Sequence, residues 1–328
     1  MGQRVLTVHR ETFPIRGHFT ISRGSRTESQ VILVELGLDG RVGRGECVPY
    51  ARYGESLDSV VAQIETLREA LAAGAGRADL PGLLPAGAAR NAIDCALFDL
   101  EAKLAGVPAW QLAGIGQPEP TLTAFTLSLG TPEAMAAAAR DARDRPLIKL
   151  KLGGDGDIER VAAVRAVLPE AQIIVDANEA WSVAQVEPFA AAMAELGVAL
   201  IEQPLPAAED AALAAIDSPV PLCADESCHT REGLAGLRAR YDLINIKLDK
   251  TGGLTEALAM AAEARALDFG IMVGCMLGTS LAMAPAVLVA QDAAFVDLDG
   301  PLLLARDRDP ALRYEGSLVY PPEAALWG

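Results

Sequence analysis

The chain has 328 residues, 51% of them hydrophobic but only 5% aromatic, and its formal net charge is −16. That length allows two domains, or one large domain with an extension, and the core must rest on Ala, Leu, Val and Ile. So negative a chain is excluded from nucleic acid and anionic membrane surfaces as general partners, although a local basic pocket for an acidic small molecule stays open.

The five cysteines (Cys47, Cys95, Cys223, Cys228 and Cys275) are odd in number and scattered. No CxxC pair occurs, so neither a disulfide framework nor a zinc site is expected. The N-terminal MGQRVLTVHRETF lacks the apolar stretch of a signal peptide, which leaves the cytoplasm as the default location.

In chain order, residues 1 to about 56 read as strands: TVHRETF, HFTISRG and SQVILVELGLDG alternate or are β-branched, and Asp39-Gly40 is a hairpin signal. Residues 57 to 114 read as helical, with Ser56 as N-cap of SLDSVVAQIETLREALAAG and helical apolar spacing in GAARNAIDCALFDLEAKLAG. The first third is therefore an α+β unit, assigned to residues 1–115 and expected to be completed by the tail 310–328.

Over residues 120–305 the texture changes. Eight short apolar runs (TLTAFTLSL, PLIKLKL, AQIIVD, VALIE, VPLCAD, LINIKLD, GIMVGC and AAFVDLD) alternate with Ala-rich helical stretches. Repeated βα units imply a parallel sheet, and eight of them most simply close into a barrel. An open doubly wound sheet would carry a glycine fingerprint after its first strand, and no GxGxxG or GxxxxGK[ST] is found there. The uncharged stretch 271–290 has the length of a membrane span, but Gly274, Gly278, Thr279, Ser280 and Pro285 interrupt it. A buried strand, loop and helix account for it better.

Strand LIKLKL places Lys149 and Lys151 on one face and Ile148, Leu150 and Leu152 on the other. Alone, this would suit an edge strand that turns its lysines to water. The other strands decide differently, because they end in polar residues: Asp176, Glu202, Asp225, Lys247, and Asp297 with Asp299. A lone Asp at such a place is commonly a helix N-cap, and Asp297 and Asp299 could be turn formers before Gly300. Asp155 and Asp157 read as loop residues near a cap. In a parallel barrel, however, every strand C-terminus opens onto one face, and three carboxylates end three successive strands. Oxygen ligands on rigid strand ends suit Mg²⁺, and with no His or Cys beside them zinc is excluded. Lys151 and Lys247 would then face opposite sides of the α-carbon of a carboxylate-bearing substrate, one taking a proton and the other returning it through an enediolate. A lysine base needs a lowered pKa, and Lys149 would supply like-charge repulsion in that direction.

KLK at 149–151, DANEAW at 176–181, EQP at 202–204, ADES at 224–227 and NIKLDKTGG at 245–253 resemble the enolase superfamily in its muconate-lactonising-enzyme-like subgroup. The resemblance implies a modified TIM barrel of (β/α)7β type under an N-terminal α+β capping domain. It also implies Mg²⁺ on Asp176, Glu202 and Asp225, and Lys151 and Lys247 as the acid/base pair of a 1,1-proton transfer. DLDG at 297–300 looks like the dipeptide epimerases, in which such a pair of aspartates, here Asp297 and Asp299, holds the substrate ammonium. ECVPYARYGES, GAARNAIDCALFDLEAKLAG and CADESCHTR look like the bacterial L-Ala-D/L-Glu epimerases, so inversion of that dipeptide in murein peptide recycling is the expected activity. Thr126 is expected at the substrate carboxylate. Arg23 or Arg26, on FTISRGSRTES, is expected at the glutamate side chain, with ECVPYARYGES as a second lid segment. The alternatives are an epimerase of other dipeptides, a muconate cycloisomerase or o-succinylbenzoate synthase, and a peptide-binding barrel without chemistry. Paired aspartates argue against the cycloisomerase and synthase, and against N-acylamino acid racemases, whose substrates carry no ammonium. The oligomeric state is left open, and His9, His18 and His229 receive no catalytic role.

Overall fold

The computed structural model describes residues 2–328. The chain opens with an antiparallel meander of β1 (Val5–Ile21), β2 (Gly24–Leu38) and β3 (Arg41–Cys47). Asp39 and Gly40 form the two-residue β2–β3 turn with φ of 49° and 76°, the positive values that the favoured hairpin turn requires. The FTISRGSRTES segment is a hairpin nearly to its tip: Ile21 pairs with Gly24, and only Ser22 and Arg23 form the turn.

Helix α1 (Leu57–Glu65) begins as expected, with Ser56 Oγ accepting from Ser59 N at 3.1 Å and Ser59 Oγ from Ser56 N at 2.9 Å. Helix α2 (Ala88–Ala105) is buried along most of its length and lies against β3. Gly43 and Gly45 permit that approach, because a Cβ at either would collide with the α2 carbonyls of Ala96 or Ala92.

Eight parallel strands follow: β4 (Phe125–Leu127), β5 (Leu147–Lys151), β6 (Gln172–Asp176), β7 (Val198–Glu202), β8 (Leu222–Ala224), β9 (Leu243–Ile246), β10 (Gly270–Val273) and β11 (Phe295–Val296). Each neighbours the next in sequence, and Ala124 N donates to Val296 O at 2.8 Å between the first and last. Five crossovers carry helices: α3 (Pro132–Asp141), α4 (Asp157–Val167), α5 (Val183–Glu195), α6 (Leu254–Ala266) and α7 (Ser280–Val289). The other two carry only short helical segments, a 3₁₀ helix at Asp210–Ala215 and one α-helical turn at Leu234–Leu237. Seven crossovers for eight strands give the expected (β/α)7β form. The uncharged 271–290 stretch divides between β10, a loop and the ten-residue α7. Among the described residues, no helix is long and apolar enough to cross a membrane.

Alternation sorts the barrel into layers. Ile148, Leu150 and Leu152 face outward to the helices. Inside, Ala124, Leu147, Ile174, Leu200, Cys223, Leu243 and Met272 pack into an apolar plug. Two residues further along most of these strands, at Thr126, Lys149, Asp176, Glu202, Asp225 and Asn245, stand polar side chains beyond this plug. Strand β5 is paired on both sides, to β4 and β6, so the edge-strand explanation of its lysines fails.

TLTAFTLSL, expected as one strand, divides. Thr121–Leu122 pairs with the C-terminal hairpin of Tyr314–Glu315 and Leu318–Val319, and only Phe125–Leu127 enters the barrel. The chain end reaches α2, where Trp327 Nε1 donates to Cys95 O at 3.1 Å and Gly328 N to Asp99 Oδ1 at 2.7 Å.

Candidate active site at the barrel mouth

Asp176, Glu202 and Asp225 close three successive strands, and one carboxylate oxygen from each lies within 4.8 Å of the others. All three are essentially without solvent exposure. An all-oxygen cluster of this kind, free of nitrogen and sulfur, fits a hard cation. The surrounding groups orient it: Asn178 Nδ2 donates to Asp176 at 3.0 Å, and Asn245 Nδ2 to Glu202 at 2.7 Å.

Four lysines balance this charge. Lys151 Nζ lies 2.6 Å from Asp176, and Lys247 Nζ lies 2.7 Å from Asp225. Lys149 Nζ sits between Glu202 at 2.6 Å and Asp297 at 2.7 Å. Lys250, fully buried, contacts Asp225 Oδ1 at 2.6 Å. Burial works against Asp176 ionising, but Lys151 and Lys149 overcome it and hold its pKa low. Asp225 is held lower still, by Lys247 and Lys250 against the same burial. For Glu202, burial and the Asp176 charge win and push its carboxyl upward.

Carboxylates set the electrical state of Lys247 and Lys149. Burial favours a neutral Lys247, yet Asp225 and Glu202 outweigh it and raise the pKa well above the ordinary lysine value. Lys149 does act on Lys247 in the downward direction, as like charge must, but more weakly than those carboxylates. Lys149 is itself driven upward, against burial, by Asp297, Glu202 and Asp176. The surrounding carboxylates therefore favour the charged forms of Lys247 and Lys149. A cation on the three carboxylates would oppose their pull.

Asp297 and Asp299 stand at the end of β11, beside this cluster. Thr126 joins them: its hydroxyl donates to Asp297 at 3.3 Å and its backbone N–H to Asp299 at 2.6 Å. Thr126 is thus engaged with the aspartate pair. Burial and the neighbouring Asp297 charge push the Asp299 carboxyl up to about 7, while Lys149 and Lys151 hold Asp297 low against its burial.

The two cap arginines differ. Arg23 is committed, with Glu226 at 2.7 Å, Glu179 at 3.2 Å and the Tyr50 hydroxyl at 2.9 Å. Arg26 has no ion pair among the described residues; its guanidinium lies 5.4 Å from the Tyr50 ring centre. Both line a cleft with Lys151, Lys247, Asp225 and Tyr53. Arg52 adds a second strap from the cap, donating twice to Glu179 at 2.7 Å.

Sequence reasoning passed over Asn178, Asn245 and Lys250, although each stands within three residues of a named ligand or lysine and shares its strand end. It also treated Asp157 as a loop residue. Asp157 is fully buried at the start of α4 and accepts from Gly154 N and Trp181 Nε1, both at 2.8 Å.

Residues 3–114 match the mandelate racemase / muconate lactonizing enzyme N-terminal domain, and residues 134–324 match the enolase C-terminal domain-like family. The chain is 50% identical over 313 residues to the L-Ala-D/L-Glu epimerase of Escherichia coli K12, covering 95% of this chain and 98% of that protein. It is 46% identical over 288 residues to an N-acetyl-D-glutamate racemase of Pseudoalteromonas, covering 87% and 91%. Among solved structures it resembles an enolase family member from Agrobacterium tumefaciens, described as homologous to dipeptide epimerases and holding sodium and L-Ala-L-Glu. That likeness has 58% identity, a TM-score of 0.97 and coverage of 99% and 100%.

Proposed function

Because the chain belongs to the enolase superfamily, in its mandelate racemase / muconate lactonizing enzyme branch, we propose that it is a Mg²⁺-dependent dipeptide epimerase. Its reaction would invert the α-carbon of the C-terminal residue of L-Ala-D/L-Glu, in the recycling of murein peptides. The observation that carries this reading is the joint placement, at one barrel mouth, of a three-carboxylate cluster, two lysines from β5 and the end of β9, and a second acidic pair. A dipeptide offers one carboxylate and one ammonium, and the two acidic groups divide that recognition. Residues 1–115 with the tail 310–328 would form the cap, and residues 120–305 the barrel.

Mg²⁺ on Asp176, Glu202 and Asp225 would supply positive charge against the developing enediolate. Lys151 and Lys247 would each address one face of the α-carbon, one removing the proton and the other returning one opposite. Lys149 keeps positive charge beside the same carboxylates. Asp297 and Asp299, steadied by Thr126, would hold the ammonium. Arg26, without an ion pair among the described residues, is a cap cation available to a glutamate side chain, while Arg23 holds Glu226 and Glu179.

The Pseudoalteromonas relative supports a second reading, racemisation of an N-acylated glutamate. Absence of an ammonium had set that class aside, yet a chain so similar carries that name. One experiment separates the readings: α-proton exchange in D₂O with Mg²⁺, given L-Ala-L-Glu or N-acetyl-L-glutamate. Exchange on the dipeptide alone supports the first, and exchange on the N-acyl acid alone overturns it.

A further inference from the structure

Tyr53 belongs to a 3₁₀ turn of the cap, Ala51–Tyr53, closed by Gly54 at φ 76°. Glu55 fastens that turn: its carboxylate accepts from Tyr50 N at 3.0 Å and from Ala88 N, at the start of α2, at 2.8 Å. The Tyr53 ring is held edge-on between Tyr50, with centroids 5.2 Å apart, and His229, at 4.4 Å. Its orientation is therefore fixed before any ligand arrives. Its hydroxyl is shielded from solvent and has no hydrogen-bond partner among the described residues. A buried O–H without an acceptor is unfavourable, and such a group in a cleft calls for an acceptor supplied by a ligand.

The substrate's own geometry says which acceptor. This step rests on the proposed dipeptide reading. With the α-carboxylate at the three metal-ligating groups, the peptide nitrogen leading to Asp297 and Asp299, and the α-proton toward a lysine, one substituent of the α-carbon remains. That substituent, the side chain, must leave the barrel toward the cap. The cleft over the two lysines is lined from the cap by residues that include Arg26, Tyr50 and Tyr53.

We propose that the Tyr53 hydroxyl donates a hydrogen bond to the side-chain carboxylate of the substrate's C-terminal residue, sharing that carboxylate with Arg26. Tyr53 is then a specificity residue for an acidic side chain and takes no part in the proton transfer. Burial and the nearby Asp225 charge raise the phenol's pKa, so it stays a neutral donor throughout the working range.

The test uses the full-length enzyme with Mg²⁺ and L-Ala-L-Glu, and compares wild type, Tyr53→Phe, Arg26→Gln and the double variant. Tyr53→Phe removes a hydroxyl without a partner among the described residues, so the fold should keep its thermal midpoint. The expected result is a KM raised roughly tenfold, the loss typical of a hydrogen bond to a charged acceptor, with kcat changed far less. Because two donors on one carboxylate are coupled, the double variant should lose less in kcat/KM than the product of the single losses. A KM within twofold of wild type, a loss confined to kcat, or single losses that multiply in full would each overturn the proposal. Failure of the wild-type enzyme to exchange the α-proton of L-Ala-L-Glu would instead strike the function proposed above.

Discussion

At the residue scale, Lys151 and Lys247 carry the central prediction. Each is paired with a different carboxylate of the cluster, Asp176 or Asp225, so each can be removed without deleting the other's partner. Lys151→Ala or Lys247→Ala should abolish epimerisation, by a factor on the order of 10³ or more for loss of an essential acid or base. Either variant that still acts should exchange deuterium into a single stereoisomer, read by proton NMR. Full epimerisation by both variants would contradict the two-base assignment. Asp249 gives a prediction of another kind. Burial, with help from Glu55 and Glu46, pushes its carboxyl up to about 7 from 3.8. A raised carboxyl means that the folded state holds a proton the unfolded chain has lost between those pH values. Stability contributed by this group should therefore fall as pH rises from about 4 to 7. Asp249→Asn keeps an oxygen for Val48 N and Asn91 Nδ2, the donors that meet Asp249 Oδ1. The variant should lose that part of the slope and be the more stable protein at pH 8 by denaturant titration. A slope identical to wild type would show that Asp249 is ionised in the folded protein.

At the scale of elements, the cap and barrel meet through α2. Arg90 donates to Thr251 O at 2.7 Å, Asn91 to Asp249 at 2.8 Å, and Asp94 accepts from Thr255 N at 2.9 Å. Those contacts brace the segment that follows Lys247. Packing of β3 against the opposite side of α2 depends on Gly43 and Gly45, whose missing side chains leave room for the helix backbone. Gly45→Ala must push strand and helix apart and should cost roughly 1–3 kcal/mol, as overpacking does. A thermal melt checks this, and an unchanged midpoint would mean that the cap shifts freely. The same scale shows what was legible beforehand. Ser56 as a cap, Asp39-Gly40 as a turn and LIKLKL as a strand were readable because each is decided by neighbours in sequence. TLTAFTLSL was not, because the partner that splits it, Leu318–Val319, comes nearly two hundred residues later. The same distance explains Arg23: nothing near it in sequence announces Glu179 or Glu226.

For the whole molecule, the barrel order and the acidic cluster were legible because a parallel barrel turns a list of strand ends into one surface. The electrical state of that surface was not, since it depends on how four lysines divide themselves among five carboxylates. That division also predicts what metal removal does. Lys149, Lys151, Lys247 and Lys250 already neutralise Asp176, Glu202 and Asp225, so chelation with EDTA should leave the protein folded by circular dichroism. Returning Mg²⁺ should raise the melting midpoint in a concentration-dependent way, because a ligand that binds only the folded state stabilises it by mass action. A midpoint indifferent to Mg²⁺ up to tens of millimolar would speak against the cluster as a cation site. The most direct test of the account as a whole is proton NMR of L-Ala-L-Glu in D₂O with the protein and Mg²⁺. The account predicts loss of the glutamate α-proton signal together with growth of the L-Ala-D-Glu resonances. An α-proton signal that persists unchanged with Mg²⁺ present would contradict it.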